Sequence, residues 1–233
     1  MWGCVVVMGS KITALKAQKR DPSRINVYLD GKFAFEVDRL VGAWLNVGQV
    51  MDEEKIEKLV QADTLEKAYQ KALNFLGYRV RSEAEIRQKL HEAGYDEELI
   101  DHVITRLLNS RLAGDTAFAQ NWIENRSNFR PRSRRMLRME LRQKGVEESV
   151  IDEALENAPD ETEMARKVGQ KYANRLHDTD KVVFCKKMTD YLLRKGFDFS
   201  IARDLAMQLW VENKEEFDIP LRLVNNEEND NDY

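Results

Sequence analysis

The chain has 233 residues, with 37 Lys and Arg against 41 Asp and Glu, a formal charge of −4; a third of its residues are charged and 42% are hydrophobic. That is a soluble, globular composition long enough to bury a real core, and its acidic balance gives no support to a dedicated duplex-DNA binder, which is usually basic throughout. Two widely separated cysteines, Cys4 and Cys185, suggest neither a disulfide framework nor a metal site and favour a reducing compartment.

The opening stretch MWGCVVVMGSK has a short apolar run with no basic region before it. It has too few apolar residues to cross a bilayer, so a strand or a disordered leader is expected. No longer apolar run follows, and the expected location is cytoplasmic. Residues 12–38 alternate: Ile25, Val27 and Leu29 define one face, then Phe33, Phe35 and Val37 continue it after Asp30-Gly31. Asp-Gly between two alternating runs marks a type I′ hairpin, because both central residues need positive φ. Strands are expected near 11–18, 24–29 and 32–37. In the next segment Leu40, Val41, Trp44 and Leu45 recur at helical spacing, ending at Asn46–Gly48, with a short strand possible at 49–51.

From Asp52 the pattern is helical almost to the end. Asp52-Glu53-Glu54 suits a helix start, and Ile56, Leu59 and Val60 supply its apolar stripe. The only 4 Pro and 11 Gly agree with a helical body. A repeat then emerges. Gly94, Gly145 and Gly196 are spaced 51 residues apart. Four residues before them stand Leu90, Leu141 and Leu192; one after stand Tyr95, Val146 and Phe197; five after stand Leu99, Val150 and Ile201; nine after stand Val103, Ala154 and Leu205. Arg81-Ser82 and Arg132-Ser133 also match. Each glycine fits a left-handed helix cap, with the following apolar residue as its hydrophobic partner. A further helix precedes each pair (LEKAYQKALNFL, DTAFAQNWIEN, EMARKVGQKYANRL).

The expected fold is therefore mainly all-α: three three-helix repeats stacked in an elongated tandem array, because one unit of this size buries little alone, with a small N-terminal β-hairpin extension. The expected division is 1–51 for the β-rich extension, 52–112 for a linker helix and repeat 1, 113–159 for repeat 2, 160–217 for repeat 3, and 218–233 for a disordered acidic tail.

Signs of catalysis are missing from the sequence. His91, His102 and His177 have no Cys or carboxylate at metal-ligand spacing, and there is no phosphate loop, nucleophile elbow or zinc signature. No catalytic residue, metal or cofactor is assigned. The stretch Arg126–Lys144 is different, with eight cations against one acid, Glu140, in an acidic protein. Pro131 suits a first helical turn, so a helix is expected from about Arg132, with Met136, Leu137, Leu141 and Met139 toward the core. Arg134, Arg135, Arg138, Arg142 and Lys144 then spread over the outer surface, while Arg126 and Arg130 lie in the preceding loop around Phe129. Tyr78-Arg79-Val80-Arg81 places an aromatic beside arginines at the same point of the first repeat. A charged helix face is commonly only a solvated face, but such faces mix signs and this one does not. The ten cations Arg79, Arg81, Arg126, Arg130, Arg132, Arg134, Arg135, Arg138, Arg142 and Lys144 form the expected binding surface for phosphates or an acidic protein groove. The preponderance of Arg favours bidentate and stacking contacts. Trp44, Trp122, Trp210, Phe75 and Phe118 are expected to pack in the core.

The segments RSEAEIRQKLHEAGYDEELIDHVI, LAGDTAFAQNWI and RPRSRRMLRMELRQKGVEESVIDEAL resemble the RecX family of bacterial recombination regulators over about residues 65–215. ELRQKG at 140–145, Asp115 with Phe118-Ala119, and SEAEIRQKL carry the resemblance; LLRKGF at 192–197 is the best match in the third repeat. The hairpin INVYLDGKFAFEV is similar to the N-terminal extension of many members. The resemblance implies three three-helix repeats and a non-catalytic role: binding the RecA–single-stranded-DNA filament, lying in its groove, and limiting recombinase activity in recombination, DNA repair and the SOS response. Alternatives are a DNA-binding helical module acting on recombination indirectly and a generic helical adaptor. A monomer is the simplest ligand for a filament groove.

Overall fold

A computed structural model describes residues 9–176 and 179–217, the side chains of the last four excepted. Cys4, the apolar leader, His177 and the acidic tail lie outside the described residues. The chain falls into two compact units, Met1–Gly114 and Asp115–Tyr233.

The first unit begins with four strands: β1 (Ser10–Ala17), β2 (Arg24–Leu29), β3 (Lys32–Asp38) and β4 (Val50–Met51), antiparallel in the order β3-β2-β1-β4. The β2–β3 turn has the expected conformation, with φ of 47° at Asp30 and 82° at Gly31. Ile12, Val27, Leu29, Phe35, Val37 and Met51 fill the sheet's core. Phe33 does not join them. The register shifts between Val27 and Tyr28, so Tyr28 faces Phe33; the two rings meet edge to face at 6.0 Å, and Phe33 is exposed. A one-residue slip moves a side chain to the opposite face of a strand.

The helix suggested by spacing around Leu40–Leu45 is instead a run of turns. Bonds from Ala43 N–H to Leu40 O and from Leu45 N–H to Gly42 O reach only three residues back. Val41 and Leu45 point inward while Leu40 and Trp44 are exposed, Trp44 by 69%. The expectation of a core Trp44 is thereby corrected: without a continued helix the spacing does not define a face.

Helix α1 (Glu53–Leu76) starts where expected, its N-cap Asp52 accepting from Lys55 N–H. Leu59 is buried and Ile56 half-buried, but Val60 is exposed. Asp63 ties α1 to the sheet. Its buried carboxylate accepts from Arg24 Nη1 and Nη2 at 3.1 Å each, from Asp38 N–H at 2.6 Å and from Lys67 Nζ at 3.0 Å. Burial works against the ion, yet those donors outweigh it and hold the carboxyl below its ordinary pKa. Helices α2 (Glu83–His91) and α3 (Glu97–Asn109) pack with α1 around Ala68, Ala72, Ile86, Leu90, Ile100, Val103 and Leu107.

The second unit contains α4 (Asp115–Phe129), α5 (Arg134–Gln143), α6 (Glu148–Glu156), α7 (Glu161–Ala173), α8 (Lys181–Arg194) and α9 (Phe199–Phe217). All six share one apolar core. The repeat predicted from spacing is visible in burial. Leu90, Leu141 and Leu192 are each fully buried, as are Ile86, Leu137 and Met188 one turn earlier and Ile100, Ile151 and Ala202 after the turn. Gly94, Gly145 and Gly196 have φ of 84°, 76° and 93°. In each copy the residue after the glycine donates its N–H to the carbonyl of the repeat leucine, at 3.3 Å (Tyr95 to Leu90), 3.2 Å (Val146 to Leu141) and 3.2 Å (Phe197 to Leu192). Ser82 and Ser133, also 51 residues apart, are both buried N-caps. The third copy departs here: α8 begins earlier, capped by Asp180.

Two stability predictions follow from these contacts. A β-carbon on Gly94 meets nothing within 4 Å, whereas one on Gly196 would lie 2.6 Å from Ser133 Oγ and collide with Met136 Cγ. Gly94→Ala is expected to cost about 1 kcal/mol from left-handed strain alone and Gly196→Ala roughly 3 kcal/mol, strain plus overpacking; equal losses in urea titrations would refute the close approach. Asp63→Ala, which leaves Arg24 without its buried partner, is expected to cost about 3 kcal/mol, and a change within experimental error would show that the clamp contributes nothing.

Candidate partner-binding surface

Helix α5 is built by its flanks. Ser133, not Arg132, is the N-cap: its hydroxyl accepts from Met136 N–H at 3.2 Å, so the helix begins at Arg134 and Pro131 stands outside its first turn. Leu137 and Leu141 turn inward, while Met139 is exposed and does not reach the core. Arg126 is not in a loop but on the last turn of α4.

The eight cations of this stretch separate into neutralised and unneutralised groups. Glu140 collects the first set. Its carboxylate accepts from Trp122 Nε1 at 2.8 Å and Arg126 Nε at 2.7 Å, and Arg132 Nε lies at 3.8 Å. The Arg126 guanidinium also lies over the Trp122 ring, 4.3 Å from its centroid, with Lys144 on the same ring at 5.6 Å. Trp122 is thus a half-buried platform packed against the core rather than a core residue. A second set is neutralised by α6. Arg142 Nε donates to Glu148 at 2.6 Å, and Arg138 pairs with both Glu148 and Asp152. The bonds from Arg142 and then Arg138 pull the Glu148 pKa down to about 2. Glu148 is therefore more than an acid at a helix start; it is the counter-charge of α5.

The remaining cations have few partners. Arg134 is exposed; among the described residues its side chain bonds the Ala158 carbonyl at 3.4 Å and its charge acts on Asp160 and Glu161, and the Glu161 carboxylate accepts from the Arg134 backbone N–H. Arg130 and Arg135 are exposed and make no ion pair among the described residues. Around Arg130 and Arg132 opens a cleft of about 390 Å³, completed by Phe129, by Lys171 of α7 and by Tyr191 and Lys195 of α8. Lys171, Tyr191 and Lys195 are absent from the sequence-based set. One signal pointed to Lys195: it precedes Gly196 as Lys144 precedes Gly145. Burial, then the nearby Arg132 and Arg194 charges, lowers the Lys195 pKa. In the first unit, Arg79 is held by Glu85 at 2.8 and 3.1 Å. Arg81 lies over the Phe75 ring at 4.0 Å, so Phe75 is a half-buried platform and not a core residue. His91 is exposed and bonded to Glu97 at 2.7 Å.

The Glu148 pairing has a pH signature. A carboxyl whose folded pKa lies near 2, below its ordinary 4.5, adds stability that is complete above about pH 4.5 and is lost as pH falls toward 2. The difference in thermal midpoint between the natural chain and Glu148→Gln is therefore expected to be constant from pH 5 to 7 and to shrink below about pH 4.5. A difference independent of pH would remove the arginine pairing as its source.

Models of the RecX family match along the chain: the "Regulatory protein RecX N-terminal domain" at residues 10–52, and the "first", "second" and "third three-helix domain" at 68–107, 115–155 and 159–205. A protein named Regulatory protein RecX from Limosilactobacillus reuteri (strain DSM 20016) is 34% identical over 196 residues, covering 82% of this chain and 74% of that one. Its namesake from Oceanobacillus iheyensis is 34% identical over 209 residues, covering 85% and 76%. A crystal structure titled regulatory protein RecX superposes with a TM-score of 0.67 at 35% identity, over 82% of this chain and 96% of that one. RecX from Lactobacillus salivarius gives 0.58 at 26% identity, over 64% and 99%. With its strand region and all three three-helix domains matched, this chain belongs to the RecX family of regulatory proteins.

Proposed function

We propose that this protein is a non-catalytic cytoplasmic regulator that binds the RecA–single-stranded-DNA filament and inhibits recombinase activity. Membership of a family whose members are named regulatory proteins supports the role. The observation that carries the choice of surface is the set of exposed guanidinium groups at the start of α5, Arg134 and Arg135, which no carboxylate salt-bridges among the described residues. Unneutralised arginines attract phosphates and acidic groove walls. Arg138 and Arg142 are already paired within the chain and contribute less. In this reading residues 52–112, 113–159 and 160–217 act as successive modules presented to neighbouring filament protomers.

The test is RecA-dependent ATP hydrolysis on single-stranded DNA. Added protein is expected to slow it, and Arg134→Glu with Arg135→Glu to raise the half-inhibitory concentration about tenfold or more. Both residues are exposed, and an acid is favourable in a first helical turn, so helicity should persist. Inhibition retained at full strength by the double variant would refute this surface.

A further inference from the structure

We propose that the cleft formed by the α4–α5 connection, α7 and α8 seats one nucleotide unit of a single-stranded nucleic acid, its phosphate held by Arg130, Arg132, Lys171 and Lys195 and its base stacked on Phe129. The proposal goes beyond the filament reading and requires no recombinase.

None of the residues lining the cleft is acidic. Four cations from three separate chain segments converge there, and the one carboxylate that approaches, Glu140, lies 3.8 Å from Arg132 and is already shared with Arg126 and Trp122. Like charges gathered in a half-closed site repel one another, and after burial the Arg132 charge is the next cause that holds the Lys195 pKa down. A bound anion relieves it. The floor is pre-organised: Tyr191 stacks on Tyr172 at 4.0 Å between centroids, and Lys195 Nζ lies 5.3 Å from the Tyr191 ring.

The aromatic at the rim decides the class of anion. Phe129 is 73% exposed beside four cations. An acidic peptide satisfies the charges but leaves that ring in water; a nucleotide presents a planar base one sugar away from each phosphate. Fifty-one residues earlier, Tyr78 is equally open at 86% exposure, yet its neighbour Arg79 is already held by Glu85. The aromatic–cation pair recurs, and only the second copy keeps its charge available.

The experiment is fluorescence anisotropy of a labelled oligo-dT with the full chain alone, across a salt series. Arg130→Ala with Lys171→Ala is expected to weaken binding roughly tenfold at low salt and to flatten the log–log salt dependence by up to about 0.7, the value for one phosphate contact on a single strand. Phe129→Ala is expected to weaken binding about fivefold or more with the salt slope unchanged. Lys55→Ala with Lys58→Ala removes the same charge from α1 and is expected to change neither. Natural affinity and slope in the Arg130/Lys171 variant would overturn the proposal, as would polyglutamate or free ATP competing as well as unlabelled oligo-dT. The ATPase assay run on the same variants separates the two readings: loss of oligo-dT binding with no filament inhibition by any form of the chain sinks only the filament reading, and filament inhibition with unaltered oligo-dT binding sinks only the cleft.

Discussion

The left-handed glycine corner is the constraint on which the helical repeats depend. A helix must stop, reverse and start again within four or five residues, leaving carbonyls that need donors. At Gly94, Gly145 and Gly196 the positive φ turns the next N–H back onto the repeat leucine's carbonyl, and the residue bearing that N–H lands on the apolar seam. One backbone choice thus satisfies polar groups, places Val146 and Phe197 in the core, and fixes the direction of the following helix. The leucine is held from two sides, by its buried side chain and by its carbonyl. That coupling explains why the 51-residue period is kept at these positions while others drift.

In the second unit the same corner also organises charge. Gly196 lies against Ser133 and Met136, so close that only a hydrogen fits where a β-carbon would be. Packing a helix–helix turn directly onto the N-terminus of α5 carries Lys195 to Arg132 and forms one wall of the cationic cleft. A close approach made for packing therefore brings like charges together, and the cost of their repulsion is borne by the surrounding fold. Such a site stores an electrostatic preference for an anion.

Much of this was legible in the sequence. The Asp30-Gly31 hairpin, the leucine–glycine period and the Asp52 cap are local features, each fixed by a few neighbouring residues. What was not legible depends on register or on distant partners. Phe33 was misplaced because the shift beside Tyr28 leaves no mark in the alternation. Trp44 was misplaced because helical spacing over one turn cannot distinguish a helix from consecutive turns. The arginines were over-counted as free because Glu148 and Asp152 lie on the next helix, and only the Gly145 corner folds them across Arg138 and Arg142. The place of Lys171 and Lys195 in the cleft is illegible for the converse reason: each is an ordinary lysine until the fold sets it beside Arg130 and Arg132.

The two ends of α5 consequently differ in kind. From its middle to its C-terminal end, Arg138 and Arg142 meet acids supplied by α6 and act as struts between helices. These contacts are exposed and individually weak, but they occupy the guanidinium forks. At its N-terminal end and in the approach to it, Arg130, Arg134 and Arg135 form no ion pair among the described residues, although the Arg134 charge acts on Asp160 and Glu161. The Ser133 hydroxyl supplies the cap, so α5 dispenses with acids in its first turn. The helix dipole disfavours arginine in that first turn, and Glu161 of α7 accepts from the Arg134 N–H there. That arrangement adds little to stability. It is accounted for if the cations leading into α5 are kept for an anion that comes from outside the chain.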